Sequence, residues 1–296
     1  MSFKSGFVAI IGKPNVGKSS LINAIIGEKV CITSPKPQTT RNKILGIYNT
    51  TNYQMIFVDT PGVQNTKSAL GSYMTKATAS GANGADVIVV LLDATSVTQT
   101  DYAIIEKYKN AEVPVYVVVN KIDISNYEKI YPILAKLNEF TFVKKFFTIS
   151  ALKRKKLDEL VAELAEDLPE GEPLYDTDTY TDKPVKFVAT EVIREKILLY
   201  LQEEIPHGTA IELQKYMEGE TQTTIMADIV CESERHKQII IGRGGNMLKN
   251  IGSAARSDLE KMLGIKVVLK LFVKVKPDWK NSKYMLSSLG YDDKDL

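Results

Sequence analysis

Lys18 and Ser19 close the run Gly12-Lys-Pro-Asn-Val-Gly-Lys-Ser19, a pairing of ammonium and hydroxyl suited to polyphosphate and a divalent cation. The spacing Gly12-x4-Gly17-Lys18-Ser19 follows the apolar run 7–11 and opens a helical stretch, the context that makes a glycine turn a phosphate loop. Glycines let the backbone curl so that successive N–H groups and the helix N-terminus face phosphate oxygens. The cradle read this way is Gly12, Lys13, Pro14, Asn15, Val16, Gly17, Lys18, Ser19 and Ser20. Lys18 would reach the β- and γ-phosphates as a point charge, and Ser19 would place its hydroxyl on Mg²⁺.

Three further groups complete a nucleotide site in sequence order. Asp59, at the end of the apolar run 56–58, suits a Mg²⁺ ligand acting through water; Thr60 and Pro61 lead to Gly62, whose backbone N–H can meet the γ-phosphate. Asn120-Lys121-Ile-Asp123 selects the base. The Asp123 carboxylate can accept both N1–H and the exocyclic amine of guanine, a donor pair adenine lacks. Asn120 would contact the base's other edge and tie strands together, while the Lys121 stem covers the ring. Ser150-Ala151 would offer a backbone N–H to guanine O6, so GTP is expected rather than ATP. Between loop and Asp59, the stretch 33–41 carries Thr40, with Thr39 as the alternative. A Thr here can complete Mg²⁺ coordination only while the γ-phosphate is present, which makes the stretch a switch. Lys18, Thr40 and Gly62 are the residues expected to act on the phosphate undergoing transfer.

These residues need a scaffold, and the surrounding pattern supplies one. Apolar runs at 7–11, 53–58, 87–92, 115–119 and 146–149 alternate with helical stretches at 19–26, 102–109, 127–140 and 157–168. That alternation predicts a parallel-rich α/β sheet covered on both faces, with ligand at the strands' C-terminal ends. A length of 296 residues suits two domains. We read residues 1–171 as the nucleotide unit, the polar stretch 172–183 as a linker and 184–296 as a second, α+β unit. The second unit has a helix at 185–204, strands at 223–231 and 265–275, and Ile241-Gly-Arg-Gly-Gly245 between helices. The next helix turns Leu248, Ile251, Ala255, Leu259 and Met262 inward. Along the last strand Lys266, Lys270, Lys274 and Lys276 line the face opposite the apolar one. Residues 235–283 hold twelve Lys or Arg against three Asp or Glu, although the whole chain has a net charge of only +2. Such asymmetry points to a polyanion partner for this part. Cys31, Cys231, His207 and His236 show no metal-ligand spacing, and no apolar run reaches the roughly 20 residues a bilayer span needs. A cytoplasmic protein follows, with peripheral contact at the inner face of the membrane left open and a monomer the simplest expectation.

Together, the phosphate loop, Pro37-Gln-Thr-Thr-Arg41, Asp59-Thr-Pro-Gly62, Asn120-Lys-Ile-Asp123, Glu191-Val-Ile-Arg-Glu-Lys196, Val273-Lys-Val-Lys-Pro-Asp-Trp279 and Ser288-Leu-Gly-Tyr-Asp-Asp293 resemble the Era family of bacterial GTPases. The resemblance implies a Ras-like P-loop GTPase domain followed by a type II KH domain. It implies binding of the 3′ end of 16S ribosomal RNA and a role in maturation of the 30S subunit. Ile241, Gly242, Arg243, Gly244 and Gly245 would then be the loop that clamps the nucleic-acid backbone, with Lys237, Lys249 and Arg256 as further phosphate contacts. A competing reading gives the same basic surface to anionic lipid, in a regulator of growth or division that does no RNA work. The glycine turn and the basic strand favour RNA. Hydrolysis would be in-line attack of water with slow turnover. Val63 stands where many GTPases carry a water-orienting glutamine and Gln64 follows one residue later, so no general base is named. Asn15 matches an asparagine that holds K⁺ in related enzymes lacking that glutamine.

Overall fold

A computed structural model describes residues 2–62 and 68–293; Val63 and Gln64 lie outside them. The first unit runs β1 (Lys4–Ile11), α1 (Lys18–Ile26), β2 (Ile44–Asn49), β3 (Tyr53–Asp59), α2 (Ala69–Ala82), β4 (Val87–Asp93), α3 (Gln99–Glu106), β5 (Val115–Asn120), α4 (Tyr127–Leu137), β6 (Lys145–Thr148) and α5 (Leu157–Glu166). Its sheet has the order β2-β3-β1-β4-β5-β6, parallel except for β2. The strands are apolar at consecutive positions because both faces are covered. Val8 and Ile10 face the layer of α1 and α5, whereas Ala9 and Ile11 face α3 and α4. From β1 the chain builds first to one side and then to the other, so the loop after β1 sits where strand order reverses.

The second unit runs α6 (Val185–Tyr200), β7 (Ala210–Met217), β8 (Gln222–Cys231), α7 (Glu234–Ile241), α8 (Asn246–Leu263), β9 (Lys266–Val275) and α9 (Lys283–Ser288). β8 is the central strand, antiparallel to β7 and parallel to β9, which leaves β9 at an edge. Ile193, Ile197 and Leu201 join Ile251 and Ala255 in its core. Two expectations change here. Met262 is exposed, and Leu263 packs against the core instead, continuing the i+4 series from Leu259. Lys274 on β9 and Lys276 just after it are paired with Asp228 and Glu212, so the basic strand face is partly neutralised.

The stretch 172–183 is no free tether. The Ile47 N–H donates to the Tyr180 carbonyl at 2.9 Å, and the Leu45 N–H to Asp182 at 2.9 Å, laying the segment along the open edge of β2.

Candidate nucleotide site and nucleic-acid groove

The turn after β1 is built for close approach. Gly12 and Gly17 have φ of 155° and 101°, and a Cβ on Gly17 would lie 2.4 Å from Asn120 Nδ2. Such values favour glycine. A cavity of about 740 Å³ opens there, lined by Gly17, Lys18, Ser19, Thr40, Gly62 and Lys121 among others, a volume within the range of small-ligand sites. Lys18 is buried, and its ammonium donates to the carbonyls of Gly12 at 3.1 Å and Lys13 at 2.9 Å. Burial lowers its pKa to about 8, partly opposed by the Asp59 carboxylate. Gly62 lies against Pro14 so closely that a Cβ would sit 2.6 Å from the Pro14 nitrogen.

Asp59 organises the hydroxyls. Its Oδ2 accepts from Ser19 Oγ at 2.7 Å and Thr40 Oγ1 at 3.1 Å, and those two oxygens are 3.0 Å apart. Both threonines line the cavity, but Thr39 donates to the Lys36 carbonyl and Thr40 is the one that reaches Asp59. Among the described residues Asp59 Oδ1 is buried without a hydrogen-bond partner. Burial pushes the carboxyl up, against the pull of Lys18, Ser19, Thr40 and the Cys31 thiol. A buried, half-satisfied carboxylate beside two hydroxyls is an all-oxygen donor set, which fits a hard cation such as Mg²⁺.

Other parts of the loop are held from outside. Lys13 points away from the cradle to Asp101, 2.5 Å away, and Thr98. Val16 is buried in the core beside α1, and Thr60 donates to the Ile10 carbonyl at 3.0 Å. Asn120 donates to the Val16 carbonyl at 2.9 Å and accepts from the Ala151 N–H at 3.0 Å. Its amide therefore ties strands, as expected, rather than presenting to a base edge. The expected free N–H at Ser150-Ala151 is likewise engaged, since Ser150 N–H donates to the Lys155 carbonyl at 3.2 Å. A buried donor takes the nearest acceptor. Lys121 arches over the loop to the Asn15 carbonyl and Asp93, both at 2.6 Å, and Ser150 Oγ donates to Asp123 at 2.5 Å.

In the second unit Gly242, Gly244 and Gly245 all have positive φ, at 74°, 61° and 78°. A Cβ on Gly242 would meet Met247 at 2.7 Å, while Gly244 and Gly245 face open space. Beside this turn a groove of about 480 Å³ is lined by Gly245, Lys249, Ser253, Arg256, Leu269 and Leu271 among others. An apolar floor from the edge strand with cations on the α8 rim suits a single nucleic-acid strand. Arg243 is exposed at the tip, whereas Lys237 sits on α7, 3.9 Å from Glu234, and does not line the groove. Ile241 is half-buried at the end of α7.

Residues 7–121 match the family described as 50S ribosome-binding GTPase, and residues 204–280 match the KH domain. The GTPase Era of Alkaliphilus metalliredigens is 44% identical over 295 residues, covering 99% of this chain and 100% of that one. That of Clostridium acetobutylicum is 46% identical over 290 residues, with 98% of each chain covered. The chain belongs to the Era family of GTPases. Among solved structures, a point variant of Aquifex aeolicus Era bound to GDP and AlF₄⁻ superposes with a TM-score of 0.92 at 40% identity, covering 98% of this chain and 99% of that one. An Era in complex with MgGDPNP and nucleotides 1506–1542 of 16S ribosomal RNA gives the same TM-score, identity and coverage.

In this Era-family chain, sequence reasoning missed the joint between the two units. Thr33 donates its N–H to Glu195 at 3.0 Å, Lys36 donates to the Leu201 carbonyl, and Arg194 donates to the Thr39 carbonyl. Arg41 is buried. Its guanidinium donates to the carbonyls of Thr209 at 2.8 Å and His207 at 3.1 Å, and to the Tyr291 hydroxyl at 3.2 Å. It also lies 5.8 Å and 5.9 Å from the ring centroids of Trp279 and Tyr291. Leu70, Tyr73 and Met74 of α2, the helix after the Asp59–Gly62 motif, pack with Trp279, Leu286 and Tyr291. The available signal was an arginine directly after Thr40 and a single tryptophan in the chain.

Proposed function

We propose that the chain is a GTP-operated switch that holds the 3′ end of 16S ribosomal RNA beside Gly242–Gly245 and acts in assembly of the small ribosomal subunit. Residues 1–171 form the nucleotide unit and 184–296 the RNA unit. Gly12 to Ser20 cradle the phosphates, with Lys18 neutralising charge on the γ-phosphate; Asp123 reads guanine, and the Ala151 N–H reaches guanine O6 once it leaves Asn120. Ser19, Thr40 and, through water, Asp59 hold Mg²⁺, which screens phosphate charge when bound. Gly62 and Thr40 meet the γ-phosphate and leave it when it is hydrolysed. Support for K⁺ is the placement of Asn15, which has φ of 64° and donates to the switch-loop Pro35 carbonyl at 2.6 Å. Equal turnover in potassium and sodium removes that role.

The observation that carries the reading is the double attachment of one segment. Thr40 belongs to the Asp59 triangle, and its neighbour Arg41 is locked among Thr209, Trp279 and Tyr291. A displacement of Thr40 cannot leave the second unit untouched. Allosteric coupling of this kind is typically worth about 5- to 150-fold in affinity. The test is binding of a 16S 3′-end oligonucleotide to the full-length protein loaded with GDPNP or GDP. We expect about a tenfold difference, abolished in Arg41→Ala, and weak binding in both states for Gly242→Asp/Gly245→Asp. Identical affinities in both nucleotide states of the unmodified protein defeat the switch, and full binding by the glycine variant defeats the groove.

A further inference from the structure

Directly after Ser150-Ala151-Leu152 the chain carries Lys153-Arg-Lys-Lys156, four consecutive cations that no part of the nucleotide site uses. All four are exposed, and among the described residues none has an ion-pair partner within 4.0 Å. The run is not a loose surface tail. Ser150 and Lys155 exchange backbone hydrogen bonds at 3.2 and 2.9 Å, Arg154 N–H donates to the Ala151 carbonyl at 3.3 Å, and Lys153 N–H donates to Ser150 Oγ at 3.1 Å. The tip is thus a tight, fixed turn.

Local physics opposes cations here on three counts. Arg154 and Lys156 have φ of 51° and 60°, a region costing an L-residue roughly 1–2 kcal/mol. The four charges repel one another. Lys156 is also the N-cap of α5, at the positive end of the helix dipole, where anions are the favoured neighbours. Glycine, asparagine or an acid would relax each position. Unfavourable side chains kept in a fixed, exposed turn point to a ligand outside the chain.

We propose that Lys153–Lys156 is a second nucleic-acid contact, a cluster that grips ribosomal RNA phosphates away from the Gly242–Gly245 groove. The geometry favours a narrow phosphate ridge over a flat anionic bilayer. Asp158 and Glu159 stand exposed in the first turn of α5 beside the run and would be pressed against a lipid plane, whereas a turn tip can meet a ridge alone. The contact would also lie beside the nucleotide cavity. Leu152, immediately before the run, lines that cavity together with Lys121 and, from α6, Leu199. A second grip on one polymer raises affinity through effective concentration without changing the first.

This inference rests on RNA binding by the groove, and the experiment separates the two. The full-length protein is compared with Lys153→Gln/Arg154→Asn/Lys155→Gln/Lys156→Asn, asparagine being tolerated at the two left-handed positions. Binding is measured to a 16S 3′-end oligonucleotide and to protein-free full-length 16S RNA across a salt series. Expected are equal oligonucleotide and GTP affinities, about tenfold weaker binding of the long RNA near 150 mM salt, and a salt slope smaller by about 2 to 4. The variant should also melt at a higher temperature, since its turn is relaxed. Equal affinity and slope on the long RNA overturn the proposal. So does a loss seen only with anionic vesicles, or only with intact 30S subunits, which assigns the run to lipid or to a ribosomal protein. Failure of both proteins to bind the oligonucleotide overturns the groove assignment, while the long-RNA comparison still decides this one.

Discussion

In the proposed function, Lys18 and Arg243 are two ways of placing a cation before phosphate. Lys18 is buried, its ammonium fixed by two carbonyls and facing a buried carboxylate. Arg243, Lys249 and Arg256 are exposed and, among the described residues, have no ion-pair partner. The first arrangement fixes geometry before a small ligand arrives, so orientation entropy is lost during folding rather than binding. The second leaves its charges in water, where a flexible polymer can settle among them and where salt competes directly. One site discriminates; the other retains.

The largest test of that contrast is at the discriminating end. Asp123→Asn replaces an acceptor with a donor where guanine presents two donors. GTP affinity should fall about 1,000-fold, with xanthosine triphosphate becoming the better ligand, as read by competition binding. RNA binding by the nucleotide-free protein should not change. Next comes the joint between the sites. Arg41→Ala removes three hydrogen bonds and leaves two carbonyls and a hydroxyl short of a donor, at about 1–3 kcal/mol of stability measured by calorimetry. Arg41→Lys should recover little, because an ammonium cannot span the same acceptors. At the retaining end, Gly242→Asp/Gly245→Asp should weaken RNA binding about 30-fold and leave GTP binding within twofold, since two positive φ values and added negative charge meet there.

The smallest effect concerns pH. Burial lowers the pKa of His207 from its ordinary 6.5, helped by Arg41, Lys36, Lys280 and Arg194. Above 6.5 the imidazole is neutral both folded and unfolded. As pH falls below 6.5, the unfolded chain takes a proton the folded chain resists, so stability drops until the folded pKa is passed. Melting temperature should therefore decline modestly between pH 7 and 5, and His207→Gln should flatten that decline.

The chemistry of the nucleotide site was legible because it is written in short spacings. Lys18, Ser19, Asp59, Asn120 and Asp123 all follow or end strands that the apolar runs mark; Lys18 and Ser19 line one cavity, Asp59 is bonded to Ser19, Asn120 to the Val16 carbonyl and Asp123 to Ser150. β2 and α2 were not legible. Gly46 stands inside β2, where a Cβ would sit 2.6 Å from Ile22 Cγ2, and the same glycine weakens the strand pattern in the sequence. α2 contains Gly71, Gly81 and several Ser and Thr, and a Cβ on Gly81 would lie 2.4 Å from Thr60 Cγ2. Low helix propensity there is the cost of close packing on the switch motif. The hydrogen bonds that tie up the Ser150 and Ala151 N–H groups were hidden for another reason, since they depend on Lys155 and Asn120 reaching the same turn.

Arg41 and Tyr291 are separated by 250 residues of chain. A ribosome adding 5–20 residues per second needs roughly 10 to 50 s to make that stretch. During that interval the first sheet can form, yet the arginine at its switch has no aromatic cage to enter. Until that stretch is complete, Arg41 lacks the full set of Thr209, Trp279 and Tyr291, the groups that fasten it to the second unit.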